Sequence, residues 1–136
     1  MTTPRFLGSL LLVTASLGCS EDPSAQSHYV ASFVSGHVQY RSGTAAEGVK
    51  VVLNRGFYNG GFPDEILTWE LVDATCADKN GYFRFSFSHR SDASYLVEVV
   101  DNSSTTTNRI IPVGETKGVL FDLPFEESDS LAVLCP

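Results

Sequence analysis

The sequence predicts an all-β fold, a single antiparallel β-sandwich of about seven or eight short strands. Apolar and polar residues alternate along many short segments, and turn residues separate these segments every eight to twelve positions or so. Beyond an apolar run near the N-terminus, no stretch of helical length has a 3.6-residue apolar period. At 136 residues the chain is expected to form one domain.

The clearest strand follows the dipeptide Asn80-Gly81. This pair readily adopts the positive φ angles of a two-residue hairpin turn, so a β-hairpin is expected here. After it, Phe83, Phe85 and Phe87 alternate with polar residues. A strand has a period of two, so the three phenylalanines share one face, which we expect to line the core.

Further strands are predicted where apolar residues recur at every second position. In one of them Leu67, Trp69 and Leu71 share a face, and Trp69 is assigned to the core. The alternation loses phase near Asp73, which indicates a bulge or a strand end. The predicted spans are 30–40, 49–55, 66–76, 95–99, 109–113, 119–123 and, as a last edge strand, 131–135.

The N-terminal residues 1–18 are predicted to be a signal peptide. Arg5 supplies a basic start, and the apolar run that follows is too short to cross a bilayer as a helix. Cys19 directly follows the small residue Gly18, which resembles the lipobox of bacterial lipoproteins, although Ser16 departs from that pattern. The resemblance implies a lipid on Cys19.

The chain is thus divided into a signal peptide (1–18), a lipid-anchored tether (19–29) and a sandwich domain (30–136). The expected location is the bacterial cell envelope, at the outer membrane or the cell surface, with membrane contact through the N-terminal lipid. Ordinary secretion after the same cleavage is the alternative. Both locations are oxidising compartments, in which cysteines form disulfides.

The cysteine count agrees with lipidation. The chain has three cysteines, an odd number for a protein of an oxidising compartment. If Cys19 carries lipid, Cys76 and Cys135 remain as an even pair, and we hypothesise a disulfide between them. Closing a loop of roughly 60 residues would contribute about 4 kcal/mol in the chain-entropy model.

The charge balance argues against nucleic-acid binding. Loss of Arg5 with the signal peptide changes the formal charge of −7 to −8. Such a surface repels phosphate backbones, and no basic stripe interrupts it.

Four short patterns occur in order between residues 33 and 123. They are V-S-G-H-V at 34–38, Gly43 followed by G-V-K-V at 48–51, T-x-x-D-x-x-G-x-F-x-F at 75–85, and Y-L-V-E-V at 95–99. Together they resemble the carboxypeptidase regulatory-like domains, which are sandwiches of the transthyretin and immunoglobulin-like type. The resemblance implies an accessory domain without chemistry of its own. Related transthyretin-like hydrolases carry a Y-R-G-S tail, a tetrapeptide this sequence lacks, so no enzyme activity is expected.

The residues with chemical potential are sparse. His28, His37 and His89 are far apart in sequence, so we expect solvent-facing histidines and no zinc site. Asp78 is expected to accept hydrogen bonds from backbone N–H groups of the following turn. The later ligands of a calcium loop are absent after Asp78. We therefore predict no cofactor, no metal and no catalytic residue.

The segment 56–65, G-F-Y-N-G-G-F-P-D-E, looks like an insertion in this pattern. Its glycines and proline are expected to end the strand, yet Phe57, Tyr58 and Phe62 are large and apolar. These aromatics either cap the end of the sandwich or contact a partner, with Asp64 accepting hydrogen bonds from hydroxyls. The sequence thus predicts a non-enzymatic envelope module that presents loops to an unknown envelope protein. Carbohydrate binding through this loop is the alternative.

Overall fold

The computed structural model describes residues 28–59 and 66–136. The signal peptide, Cys19 and most of the tether, together with Phe62 and Asp64, lie outside the described residues. The described part contains seven strands and one short 3-10 turn, Glu127–Asp129. The strands are β1 (Tyr29–Gln39), β2 (Lys50–Asn59), β3 (Ile66–Cys76), β4 (Tyr82–Arg90), β5 (Ser94–Val99), β6 (Thr107–Ile111) and β7 (Glu115–Asp122).

The strands form two sheets, which confirms the predicted all-β sandwich. One sheet has the order β4-β1-β7 and the other the order β3-β2-β5-β6. All neighbours are antiparallel except β1 and β7, which are parallel. This pair departs from the antiparallel prediction for a topological reason. β6 lies in the other sheet, and it ends at the same end of the sandwich at which β1 begins. The short turn after Ile111 then starts β7 in the same direction as β1.

The core lies between the sheets and is built by strand alternation. Phe83 and Phe85 are buried as predicted, and Phe87 packs against the edge of the same cluster. Trp69 does not join them, because 38% of its surface is exposed, so its assignment to the core is wrong. The fully buried side chains include Val34, Val38, Val51, Leu53, Phe83, Phe85, Tyr95, Val97, Val99 and Ile111.

The turn at Asn80-Gly81 joins the two sheets and is not a two-residue hairpin. β3 and β4 lie in different sheets, and only Gly81 of the pair has positive φ, at 78°. The Gly81 N–H donates to the Asp78 carbonyl at 2.8 Å. The Asp78 carboxylate accepts from the N–H groups of Asn80 and Tyr82 at 2.8 and 2.9 Å, as predicted. This side-chain acceptor stabilises a wider turn than the hairpin that the dipeptide favours.

β2 continues through Gly56 to Asn59, so the prediction that the strand ends before this glycine-rich segment is wrong. Gly56 pairs with Ser94, the first residue of β5. The following residues of β2 pair only with β3, from Phe57 with Thr68 to Asn59 with Ile66. The hairpin of β2 and β3 therefore extends past β5 as a two-stranded ribbon. The predicted irregularity near Asp73 is confirmed, because the pairing shifts there.

The disulfide joins the C-terminal segment to β3. Cys76 and Cys135 are bonded, with their Cα atoms 6.1 Å apart, as the cysteine count predicted. The segment 131–135 forms isolated bridges, Val49 with Leu134 and Asp101 with Ala132, and not the predicted strand. The Lys50 N–H nevertheless donates to the Val133 carbonyl at 2.8 Å, so the segment is held against the start of β2.

The sandwich has two distinct ends. We call the end at which the structural description starts, at His28, the entry end. There the Ser91 N–H donates to the His28 carbonyl at 2.8 Å, and the Phe33 N–H donates to the Gly114 carbonyl at 3.1 Å. The ribbon of β2 and β3 lies at this end, because its last pairs extend beyond Ser94. The disulfide and the Asn80-Gly81 turn lie at the opposite end, here called the disulfide end.

Candidate binding surface

The outer side of the four-stranded sheet carries a row of exposed apolar residues. Leu71 lies opposite Asn54, which lies opposite Leu96, which lies opposite Ile110. Residues directly opposite on adjacent strands point to the same side of a sheet. Leu71 is 63% exposed and Ile110 57%, while Leu96 is half-buried between them. We call this surface the outer apolar face: Trp69, Leu71, Leu96 and Ile110.

The register of β3 explains why its apolar side faces water. Trp69 pairs with Gly56, on the side of β2 opposite to the buried Leu53. The alternate residue Glu70 pairs with Arg55, whose Nε donates to its carboxylate at 2.8 Å. This hydrogen bond raises the pKa of Arg55. Alternation in the sequence separates the two sides of β3 but does not tell which side is inward. In this strand the side that carries Glu70 is the inner one.

Charged groups are scarce on this side of the sheet. Among the described strand positions that share it, the charged residues are Glu98, opposite Val52 and Asn108, and Lys50, opposite Cys76 at the disulfide end. The chain as a whole is strongly acidic, with a formal charge of −7. Interface centres are depleted of charge and enriched in aromatic residues, and contiguous exposed apolar patches mark interaction sites.

The indole ring of Trp69 covers Gly56. A Cβ placed on Gly56 would lie 2.7 Å from Cε3, 2.7 Å from Cζ3 and 2.9 Å from Cδ2 of Trp69. Near-equal distances to three consecutive ring atoms mean that one face of the ring lies over the glycine. The other face points away from the sheet, toward solvent. Gly56 thus provides the space in which the ring lies against the backbone.

The predicted aromatic cluster is divided between two sides of β2. Tyr58 pairs with Leu67 on the outer side, whereas Phe57 points to the inner side and is half-buried. The Arg90 guanidinium carbon lies 6.0 Å from the Phe57 ring centroid, and Asp92 holds Arg90 by a 2.8 Å hydrogen bond. The structure therefore does not bring Phe57 and Tyr58 together as one surface. The sequence reasoning missed Leu71 and Ile110, since it assigned apolar strand positions to the core.

The histidines do not converge on a site. His28 and His37 are exposed, but His89 is buried, so the prediction that it faces solvent is wrong. Its ring lies 4.3 Å from that of Tyr95, and its Nδ1 is 3.0 Å from the Arg90 carbonyl. Within residues 28–59 and 66–136 no three His, Cys, Asp or Glu side chains are grouped so that they could hold a metal ion.

The described part contains shallow concavities. One of about 290 Å³ at the disulfide end is lined by Tyr40, Glu127, Ser130, Ala132 and Leu134. Burial, aided by the Glu127 carboxylate, raises the pKa of the Tyr40 hydroxyl. A groove of about 450 Å³ crosses β1 and β4 beside Phe33 and Phe87.

Comparison with known proteins gives no relative. No family model, no curated protein and no solved structure matches this chain. None of the helices in the described part has the length and apolar character needed to cross a bilayer.

Proposed function

We propose that the protein is a non-enzymatic binding module of the bacterial cell envelope, anchored by a lipid on Cys19. The outer apolar face is the surface on which a partner protein docks. The row of Leu71, Leu96 and Ile110 beside Trp69 carries this proposal, because Leu71 and Ile110 are exposed on a rigid sheet with few charged neighbours. The order of the sequence patterns that resemble carboxypeptidase regulatory-like domains supports an accessory role.

The physical case rests on the gain from covering these side chains. Fully burying one Leu or Ile side chain contributes about 1.5–3 kcal/mol. Leu71 and Ile110 lie on a preformed sheet, so docking costs little ordering of the backbone. Because Glu98 and Lys50 are the charged residues of the described strands on this side, few ions need to be desolvated when an apolar partner docks.

Photo-crosslinking in intact cells tests the docking surface. A benzophenone amino acid is placed at position 71 or 110, and at position 120 as the matched control. Leu120 is also an exposed strand residue, but it lies on the other sheet, opposite His37. We expect one discrete adduct from positions 71 and 110 and none from position 120. Adding Leu96→Lys to the position-71 or position-110 protein should abolish that adduct. Equal labelling from all three positions contradicts the proposal.

Carbohydrate binding is the second candidate, because one face of the Trp69 indole lies over Gly56 and the other is open. Aromatic rings with one free face stack against apolar faces of other molecules. Asn54 and Ser94 are the neighbours of Gly56 on the same side of the sheet. A glycan array with wild type and Trp69→Ala tests this candidate. A glycan signal lost in Trp69→Ala supports it, whereas no signal combined with the position-71 adduct favours the partner protein.

The anchor is tested separately by labelling cells with a radiolabelled fatty acid. Label on the wild type that is lost in Cys19→Ala supports lipidation. Unlabelled protein, or unchanged labelling of Cys19→Ala, contradicts it.

A further inference from the structure

The entry end of the sandwich carries a ring of exposed apolar side chains. Tyr29 begins β1 and is 61% exposed, and Tyr58 on the ribbon is 66% exposed. Val113, in the turn between β6 and β7, is 53% exposed. These side chains come from two strands and a turn, and they lie at one end because the topology brings those segments to the same end of the sandwich. We call them the entry-end ring: Tyr29, Val30, Tyr58, Leu67 and Val113.

The same end receives the chain from Cys19. The residues from Cys19 to Ser27 precede His28, and nine residues extend over at most roughly 30 Å. β1 has 11 residues and runs from this end to the other, over about 36 Å. A lipid on Cys19 therefore keeps the entry end within roughly 30 Å of the bilayer, so the domain cannot stand inverted on its disulfide end, which would place the entry end about 36 Å away.

Charge favours the same orientation. At the entry end each described carboxylate lies near a basic group: Glu70 bonds to Arg55, Asp92 to Arg90, and Glu115 lies 4.0 Å from Lys117. The disulfide end carries the acidic segment with Glu126, Glu127 and Asp129, together with Asp78, Asp101 and Asp122. Anionic lipid surfaces repel acidic groups and leave neutral ones unaffected. Within the described residues, the entry end is the one without excess negative charge, so its described surface is the one that can approach them.

From these observations we infer that the entry-end ring rests on the lipid surface in which Cys19 is anchored, so that the domain stands upright on the bilayer. Tyrosine is enriched at bilayer interfaces, where its ring contacts acyl chains and its hydroxyl stays in water. The outer apolar face lies above the ring along the same sheet and stays accessible to a partner. This inference rests on the proposed anchoring at Cys19.

Fluorescence quenching by brominated lipid tests the orientation. Trp69 is the one tryptophan of the chain, so the Trp69→Phe variant has no tryptophan fluorescence. In that background Tyr58→Trp places a reporter at the entry end, and Tyr82→Trp places a matched reporter at the disulfide end. The chain from Cys19 onward, which contains every described residue, is coupled through the Cys19 thiol to maleimide lipid. The vesicles contain brominated phosphatidylcholine and phosphatidylglycerol.

We expect brominated lipid to lower the emission of the Tyr58→Trp reporter about two-fold and to leave that of the Tyr82→Trp reporter unchanged. Adding Tyr29→Ser and Val113→Ser should reduce the quenching of the first reporter. No quenching at the entry end, or equal quenching at both ends, overturns the inference. Chemical coupling replaces the cellular lipid, so this result is independent of the fatty-acid labelling that tests the anchor.

Discussion

Gly81 lies directly against the backbone of Val38, so closely that a Cβ on Gly81 would be 2.3 Å from the Val38 carbonyl oxygen. The Val38 N–H in turn donates to the Gly81 carbonyl at 2.8 Å. The turn that crosses between the sheets is therefore fixed to β1. Only glycine satisfies both this contact and the φ of 78°.

Gly81→Ala should destabilise the domain by about 3 kcal/mol or more, since it combines backbone strain with a collision against Val38. Gly43→Ala is the matched control: Gly43 also has positive φ, at 94°, but nothing lies within 4 Å of the new methyl group. It should cost only about 1 kcal/mol. Urea unfolding of the three proteins measures both values, and equal losses would show that the contact with Val38 is unimportant.

Stability should fall in acid through Asp78. The N–H groups of Tyr82 and Asn80 lower the pKa of its carboxyl below the ordinary value of 3.8. Because the folded-state pKa is depressed, the stabilisation is present above that ordinary value and is lost as pH falls through the lowered pKa. Asp78→Ala should therefore be less stable than wild type at neutral pH, with the difference shrinking below about pH 3.8.

Thermal unfolding at a series of pH values measures that difference. Glu47→Ala serves as the control for loss of an exposed acidic side chain. A difference between wild type and Asp78→Ala that stays constant down to the lowest pH would be inconsistent with the turn hydrogen bonds.

Removing the disulfide by Cys76→Ser with Cys135→Ser should lower the free energy of unfolding by about 2 to 4 kcal/mol, because the unfolded chain regains the entropy of an open loop. Denaturant unfolding without reductant measures the loss. Cys19→Ala is the control and should leave stability unchanged. An unaltered midpoint in the double variant would contradict a stabilising role for the bond.

Gly56→Ala should lift the Trp69 indole off the sheet, because the new methyl group would lie 2.7 Å from the ring. We expect a red-shifted tryptophan emission. Ser94→Ala, opposite Gly56 on the same side of the sheet, should leave the spectrum as it is. An unshifted emission of Gly56→Ala would mean that the ring does not cover the glycine.

Much of the fold follows from strand alternation, and the errors have physical causes. Phe83 and Phe85 are buried because they alternate with polar residues on a strand whose inner side is apolar. In β3 the same pattern assigns Trp69 to the core, which is wrong. Glu70 bonds to Arg55 on the inner side of the sheet, while Trp69 covers Gly56 on the outer side. Periodicity also cannot tell which sheet a strand joins.

The binding surface could be predicted only in part for a related reason. Leu71, Leu96 and Ile110 become neighbours through pairings between three different strands. Nothing in their local sequence distinguishes them from core residues. The sequence points to Tyr58 because an aromatic residue near glycines is unusual, but its separation from Phe57 depends on β2 continuing through Gly56.

Hydroxyl-radical footprinting, comparing the purified protein with the protein in native envelope membranes, tests the central claim most directly. If the outer apolar face is occupied by a partner, oxidation of Leu71 and Ile110 falls several-fold in the membranes, while Leu120 on the other sheet reacts equally in both. Equal reactivity of Leu71 and Ile110 in the two preparations would contradict the account.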